Sequence, residues 1–153
     1  MSGGHGDDTF NIGGDGIVRI SFRYNGFEST FENATLGAVV DLSTGTVSND
    51  GFGGQDTITV IGSSARVEIE GTRINDSITG SSRDERFILH QGDDTLDAGD
   101  GWDMIRYDRS GVGSVNINLA TGQAFGIWEG QGFNHSISGV EEIRGSREAA
   151  LSR

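Results

Sequence analysis

The stretch that decides the fold covers residues 71–106 and reads GTRINDSIT GSSRDERFI LHQGDDTLD AGDGWDMIR, four consecutive units of nine residues. Each unit has an acid at its sixth place and a hydrophobic residue at its eighth. The acids are Asp76, Glu85, Asp94 and Asp103, and the hydrophobic residues are Ile78, Phe87, Leu96 and Ile105. Ordinary turn chemistry does not require a period of nine, so this stretch indicates a repeat architecture.

The same frame returns elsewhere in the chain. It occurs as GGHGDDTFN at residues 3–11, as GFGGQDTIT at 51–59 and, in degenerate form, as GQGFNHSIS at 130–138. A second, longer repeat matches AVVDLSTGTV at 38–47 with SVNINLATGQA at 114–124. We therefore expect one domain over residues 1–153, built from two related halves at about 3–70 and 71–153.

The nine-residue period has a direct structural interpretation. Six glycine-rich residues turn the chain, and three residues then form a short strand whose middle side chain points inward. Two units complete one coil, and stacked coils align the eighth-place side chains into a narrow core. We predict an all-β parallel β-roll, or β-solenoid, with a β-hairpin inserted in the first half at residues 22–31 around an Asn25-Gly26 turn.

Composition restricts the possible partners. The 153 residues include 26 glycines and no proline or cysteine, only 33% are hydrophobic, and the net charge is -12. This composition disfavours a helix bundle, and the charge excludes a nucleic-acid backbone as partner. There is no signal-peptide pattern at the start and no apolar run of about 18 residues, so we expect no membrane insertion.

The acids and turn carbonyls together indicate a cation. Units two apart in sequence would bring their aspartates and turn carbonyls to one edge of the stack. Such an array of oxygens repels itself unless a cation lies within it. Calcium suits it best, because calcium accepts six to eight oxygen ligands in flexible geometry.

These units resemble a known family. GGHGDDTFN matches every fixed place of the nonapeptide of the RTX, or haemolysin-type calcium-binding, repeat proteins, and LHQGDDTLD and AGDGWDMIR are similar. The resemblance implies a β-roll that folds on binding Ca2+ outside the cell, as part of a larger bacterial protein exported by type I secretion. It implies side-chain ligands from Asp8, Asp94, Asp103 and Asp100, with Asp76 and Asp56 in poorer loops, and carbonyl ligands from Gly4, Gly6, Gly92, Gly99 and Gly101.

Some loops depart from the family pattern. Ile74 and Arg83 stand where the fourth-place glycine belongs, and Glu85 stands in place of an aspartate. We expect loop 89–94 to stack beside loop 71–76 and loop 98–103 beside loop 80–85, with Arg83 pairing with a carboxylate in place of a cation. His135 occupies the place of Asp56 in the second half, which argues against calcium there.

Motifs for catalysis are absent from the sequence. It has no thiol, no HExxH and no GxSxG, and we expect its three histidines in loops, so we predict that the chain is not an enzyme. One alternative is a carbohydrate-binding or adhesion module that contacts a polysaccharide or cell surface. Its stacking surface would require Trp102, Trp128, Phe125 and Phe133 to share a face; otherwise these side chains belong to the core.

Another alternative is a solenoid that binds ice or another flat surface. It is suggested by TIT at 57–59, SIT at 77–79 and SIS at 136–138. Arg86 and Ile88 interrupt this pattern in the sequence.

Overall fold

The computed structural model describes residues 1–25, 32–146 and 149–152, which form an all-β structure with seventeen strands and no helix. Within these ranges there is accordingly no helix that could cross a membrane. The strands are β1 (Thr9–Ile12), β2 (Gly16–Ser21), β3 (Tyr24–Asn25), β4 (Glu32–Asn33), β5 (Val39–Asp41), β6 (Thr46–Asn49), β7 (Asp56–Val60), β8 (Ala65–Glu70), β9 (Ser77–Thr79), β10 (Arg86–Ile88), β11 (Thr95–Asp97), β12 (Met104–Arg106), β13 (Val112–Asn118), β14 (Gln123–Trp128), β15 (Gln131–Ser138), β16 (Glu142–Arg144) and β17 (Ala149–Ser152).

The four units of residues 71–106 form β9 to β12, one strand each at places seven to nine, as predicted. Successive units alternate between two sheets. The ten-stranded sheet, here the long sheet, has the order β1-β7-β6-β5-β9-β11-β15-β14-β13-β17, and the five-stranded short sheet has the order β16-β12-β10-β8-β2. Strands 18 residues apart pair in parallel, with Ile78 beside Leu96 and Phe87 beside Ile105. The expected pairing of units two apart is therefore confirmed.

Eighth-place side chains form one row in each sheet. In the long sheet, Val40, Ile78, Leu96 and Ile137 are consecutive register partners. In the short sheet, the row is Ile20, Ile69, Phe87, Ile105 and Ile143. Both rows belong to one hydrophobic cluster, in which Leu96 is 1% exposed and Phe87 is fully buried.

The strand order of the long sheet repeats. The first five strands, β1-β7-β6-β5-β9, and the last five, β11-β15-β14-β13-β17, both place an antiparallel three-stranded segment between two parallel neighbours. The three-stranded segments, β5 to β7 and β13 to β15, contain the duplicated sequences found above. The internal sequence repeat thus corresponds to a repeat in strand pairing.

The predicted hairpin differs in detail from expectation. Tyr24 pairs with Asn33 and Asn25 with Glu32 in antiparallel register. A two-residue turn at Asn25-Gly26 would instead place Asn25 within the turn, so that expectation is wrong for Asn25, which lies in β3. The rest of the predicted turn lies outside the described residues.

The short sheet also departs from simple alternation. The flanking residues Ile88 and Met104 are buried, although alternation along a strand whose middle side chain points inward predicts that its neighbours point outward. Two glutamates on the same strand surface are buried with them. Glu68 accepts hydrogen bonds from Arg19 and Arg106, and Glu70 bonds to Ser21 and His90. These paired acids cover that surface, which the repeat frame does not encode.

Glycine allows neighbouring turns to approach closely. Gly92 and Gly101 have φ angles of 115° and 113°, in the left-handed region that favours glycine. A Cβ on Gly92 would lie 2.7 Å from the Ile74 carbonyl oxygen, and one on Gly101 would lie 2.5 Å from that of Arg83. Loop 89–94 therefore rests on loop 71–76, and loop 98–103 on loop 80–85, as expected.

Candidate functional site

The candidate site is the row of turns that precede the short strands, each of which ends in an acid. The sixth-place side chains Asp76, Asp94 and Asp103 are 3%, 1% and 0% exposed. Charged side chains are almost never buried this completely unless they are paired. The hydrogen bonds of these carboxylates therefore decide what the turns can do.

One carboxylate oxygen in several of these turns accepts a hydrogen bond from the backbone of a neighbouring loop. Oδ1 of Asp94 accepts a hydrogen bond of 2.8 Å from the backbone N–H of Asp76, and Oδ1 of Asp103 accepts one of 2.8 Å from that of Glu85. The first half repeats this bond: Asp8 N–H donates to Oδ1 of Asp56 at 2.9 Å. Asp56, Asp94 and Asp103 thus each hold the backbone of a neighbouring loop.

Side chains at the fifth place form a second set of such bonds, which the sequence analysis missed. Asn75 accepts from the backbone N–H of Asp93 at 2.9 Å, and Asp84 accepts from that of Trp102 at 2.8 Å. The signal was present in the sequence, because the fifth place holds Asp or Asn in most units. Glu141 was also missed, since it lies outside the frame. It accepts from Asp103 N–H at 2.9 Å.

The second carboxylate oxygen is satisfied within the loops that lack the fourth-place glycine. Oδ2 of Asp76 accepts from Thr72 N–H at 2.8 Å, and the Thr72 hydroxyl bonds to Oδ1 at 2.7 Å. Glu85 is held in the same way by the backbone and hydroxyl of Ser81. In both loops the second-place hydroxyl residue closes the turn without a cation.

Three loops that keep the fourth-place glycine leave that oxygen without a partner, whereas the fourth such loop, which ends in Asp56, shows no buried unpartnered oxygen on that acid. Oδ2 of Asp8, Asp94 and Asp103 is buried and accepts no hydrogen bond. A buried carboxylate oxygen with no partner costs free energy unless a donor or cation reaches it. The unpartnered oxygens thus occur at the three best-matching loops and not at the Thr72 or Ser81 loop.

The turn glycines named as carbonyl ligands have the expected conformation. Their φ values are 79° at Gly4, 104° at Gly6, 115° at Gly92, 84° at Gly99 and 113° at Gly101. The Gly92 carbonyl also accepts a bond of 3.3 Å from Asn134 N–H. Asp100 is exposed, whereas Asp56 is buried beside the Asp8 loop.

Burial changes the acidity of these groups. Desolvation and, to a smaller extent, the charges of nearby acids raise the pKa of Asp103 to about 7 and that of Asp56 to about 6. Asp76 and Asp94 lie side by side, and burial followed by their mutual repulsion raises the pKa of Asp76; burial also raises that of Asp94. Without a counter-charge, the turns therefore favour protonated carboxyl groups near neutral pH.

His135 occupies the sixth place of the degenerate unit and contacts the Asp94 loop. Its Nε2 lies 3.0 Å from the His90 carbonyl oxygen and 3.1 Å from Oδ2 of Asp94, and its Nδ1 lies 2.9 Å from the Tyr107 hydroxyl. The aligned bond is to the carbonyl, so Oδ2 receives no hydrogen bond from it. Burial lowers the pKa of His135 to about 4, which keeps the ring neutral.

Two expectations about charged side chains are wrong. Across the described residues Arg83 forms no direct ion pair with a carboxylate and donates instead to the Val60 carbonyl oxygen at 3.4 Å, although its charge opposes the rise that burial causes in the pKa of Glu85. Ser81 already satisfies Glu85, which removes the need for a cationic side chain there. Nor are the histidines all in loops: His135 lies in β15 and is fully buried.

The four aromatic side chains do not share a face. Trp128 and Phe133 are buried in the core, whereas Trp102 and Phe125 are 59% and 52% exposed. Phe125 lies on the long sheet, and Trp102 precedes β12 of the short sheet. A common stacking surface of all four is therefore excluded.

No group of three or more histidine, cysteine or acidic side chains within the described ranges is arranged to hold a metal by itself. Any metal at these turns would need backbone carbonyls as well as carboxylates, which is the usual chemistry of calcium. No protein-family model matches the chain, and no curated protein matches it either.

Proposed function

We propose that this chain is a calcium-binding β-roll module, in which each coil comprises one strand of the long sheet and one of the short sheet. The observation that carries the proposal is a difference between two sets of turns in the hydrogen bonding of their sixth-place acids. Oδ2 is unpartnered in the loops of Asp8, Asp94 and Asp103, and its counterpart is internally bonded in the loops of Asp76 and Glu85. Bound calcium would supply the missing positive charge.

Each residue then has a defined role. The sixth-place Oδ1 holds the neighbouring coil, and Oδ2 contributes to the cation together with carbonyls of the turn glycines. Asp94 and Asp103 are the principal side-chain ligands, with Gly92, Gly99 and Gly101 as candidate carbonyl donors. The poorer loops of Asp76 and Glu85 need no ion, so the number of sites is smaller than the number of units.

Calcium binding would couple to folding. The net charge of -12 opposes compaction, and buried carboxylates with raised pKa values add to that cost at neutral pH. Because a site formed by several coils does not exist in the unfolded chain, the free energy of binding is added to that of folding. Such a module would stay open where calcium is scarce and fold outside the cell, as expected for part of a larger secreted protein.

The test is a calcium titration of the 153-residue chain after treatment with a chelator. We expect far-UV circular dichroism to gain strand signal with a midpoint of roughly 0.1–1 mM, in the range of extracellular modules. A magnesium titration is the matched control, since Mg2+ demands stricter octahedral geometry. A chain that is fully folded in excess chelator and takes up no calcium in calorimetry would contradict the proposal.

A second candidate function, binding to a flat surface or polysaccharide, is favoured by the placement of the hydroxyl residues. Ser77, Thr95 and Ser136 are register neighbours on the long sheet, and all three are exposed. The interrupting residues Arg86 and Ile88 belong to β10 of the short sheet. The long sheet thus presents an unbroken hydroxyl row that the linear sequence hides.

A glycan array and an ice-affinity assay would test this candidate. We expect Thr95→Lys, at the centre of the row, to abolish any retention, and Arg86→Lys on the other sheet to leave it unchanged. Equal retention of both variants would exclude the hydroxyl row as the binding surface.

A further inference from the structure

We propose that the first half holds a further calcium site built around Asp50, a residue outside the nonapeptide frame. The inference rests on the proposed function for the choice of ion, but its central residue is distinct from every ligand of that proposal. The site combines Asp50 with the carbonyl of Gly6 and the carboxylate of Asp56.

Asp50 is buried and only half satisfied. Its side chain is 2% exposed, and Oδ1 accepts hydrogen bonds from Phe52 N–H at 2.7 Å and Gly54 N–H at 2.9 Å. These bonds close a tight turn, which the Asp50 N–H completes by donating to the Gly54 carbonyl at 3.1 Å. Oδ2 has no hydrogen-bond partner, so nothing offsets the free-energy cost of removing this oxygen from water.

The unpartnered oxygen faces a second oxygen across a glycine. A Cβ built on Gly54 would lie 2.5 Å from Oδ2 of Asp50 and 2.1 Å from the Gly6 carbonyl oxygen. Both oxygens therefore lie on the same side of Gly54, where any side chain would displace them. Two oxygens converging on a position that only glycine leaves open are suitable first ligands for a calcium ion.

The surroundings add negative charge. Asp56 is 5% exposed, and its pKa is raised first by burial and then by the charges of Asp50, Asp8 and Asp7. Across the described ranges, neither Asp50 nor Asp56 forms an ion pair with an arginine or histidine. The cluster thus lacks a counter-charge from the described side chains.

The second half provides an internal comparison. Aligning GFGGQDTIT with GQGFNHSIS places Glu129 opposite Asp50 and His135 opposite Asp56. Glu129 is bound by two arginines, with contacts of 3.4 Å to Arg23 and 3.0 Å to Arg73. In the second half, arginines neutralise Glu129, and the neutral His135 stands in place of an acid. In the first half, the equivalent positions hold two buried acids, Asp50 and Asp56, and a bound cation would neutralise their charge.

The test is isothermal titration calorimetry of the 153-residue chain with CaCl2. Asp50→Asn retains the Oδ1 acceptor of the turn but removes the charge at Oδ2. We expect it to bind one ion fewer per chain, or to bind one ion at least tenfold more weakly. Glu129→Gln, the counterpart in the second half, is the matched control and should bind as many ions as the wild type.

Asp103→Asn separates this inference from the proposed function. If Asp103→Asn loses an ion while Asp50→Asn binds calcium like the wild type, the Asp50 site is overturned and the proposed function stands. If only Asp50→Asn loses an ion, the Asp50 site stands and the sixth-place site of Asp103 fails. A wild-type chain that takes up no calcium overturns both.

A folding defect in Asp50→Asn would be visible by circular dichroism. In that case Asp56→Asn decides the question. Loss of one ion in Asp56→Asn supports the site, and unchanged stoichiometry and affinity overturn it.

Discussion

Oδ1 of Asp94 accepts a hydrogen bond of 2.8 Å from the backbone N–H of Asp76, which lies 18 residues earlier in the chain. The bond joins two loops whose strands, β9 and β11, are neighbours in the long sheet, at the point where each turn becomes a strand. The two oxygens of this carboxylate therefore have different roles. Oδ1 accepts the hydrogen bond that connects the two loops, and Oδ2 is left without a hydrogen-bond partner. A sixth-place acid therefore has a structural role even where no cation is bound.

This division predicts different effects for two substitutions at Asp94. Asp94→Asn keeps the acceptor for Asp76 N–H and should weaken calcium binding by about tenfold or more, equivalent to about 1.4 kcal/mol, with a small change in stability in chelator. Asp94→Ala also leaves a buried N–H unpaired and should destabilise the chelated chain by about 1–3 kcal/mol. Calorimetry measures the first effect and urea denaturation the second. All stability measurements in chelator contain the osmolyte TMAO at one fixed concentration, which keeps the calcium-free chain folded.

Asp41→Ala is the control for both variants. Asp41 lies in β5 and accepts from Ser43 N–H at 2.9 Å, away from the sixth-place acids. It should leave calcium affinity unchanged. Equal calcium affinity of Asp94→Asn and the wild type would contradict the assignment of Asp94 as a ligand.

Thr72→Val should destabilise the Asp76 loop. The substitution preserves shape but removes the hydroxyl that bonds to Oδ1 of Asp76, so a buried carboxylate loses a donor. We expect a loss of about 1–3 kcal/mol in the free energy of unfolding, measured by urea denaturation in chelator. The exposed Thr121→Val is the control, and an equal loss in both would show that the Thr72 hydroxyl has no special role.

Stability without calcium should fall as the pH rises from about 6.5 to 8. The raised pKa of Asp103, about 7, means that the folded chain still binds this proton at pH 6.5, where an ordinary aspartate has lost it, whereas Asp56, with a pKa of about 6, loses most of its contribution below this range. Their stabilising contribution is complete below the ordinary aspartate pKa and is lost as the pH rises through these values. The measurement is the melting temperature in chelator at both pH values.

The lower limit of that range is set by the buried histidines. Burial lowers the pKa of His135 to about 4 and also lowers that of His90, so their contribution is lost as the pH falls below about 6.5 and opposes the carboxyl effect there. Asp103→Asn should flatten the decline, and calcium should stabilise the chain more at pH 8 than at pH 6.5. A melting temperature that rises with pH over this range would contradict the prediction.

Leu96→Ala should destabilise the chain by about 2–5 kcal/mol, because it opens a cavity in the buried row between Ile78 and Ile137. Thr95→Ala, one residue earlier and exposed, is the control and should cost much less. The measurement is urea denaturation at saturating calcium. Similar losses in both variants would mean that the row is not a close-packed core.

The sequence determined the repeating part of this protein. In residues 71–106 the period of nine predicted strands at places seven to nine, their pairing at 18 residues and the neighbouring loops. These features are local or strictly periodic. A side chain such as Phe87 must be buried, and its register partners on the two neighbouring strands of the short sheet are Ile69 and Ile105.

Only the tertiary structure decided which polar atoms meet. The contact between Nε2 of His135 and Oδ2 of Asp94, the buried turn of Asp50 against Gly6 and the link from Glu129 to two arginines all join residues far apart in sequence. No period predicts them, because hydrogen bonds depend on direction and on distances of a few tenths of an ångström. The same limit applies to Asp76 and Asp94: both are sixth-place acids, and only the folded structure shows that Oδ2 of Asp76 accepts from the Thr72 N–H while Oδ2 of Asp94 accepts no hydrogen bond.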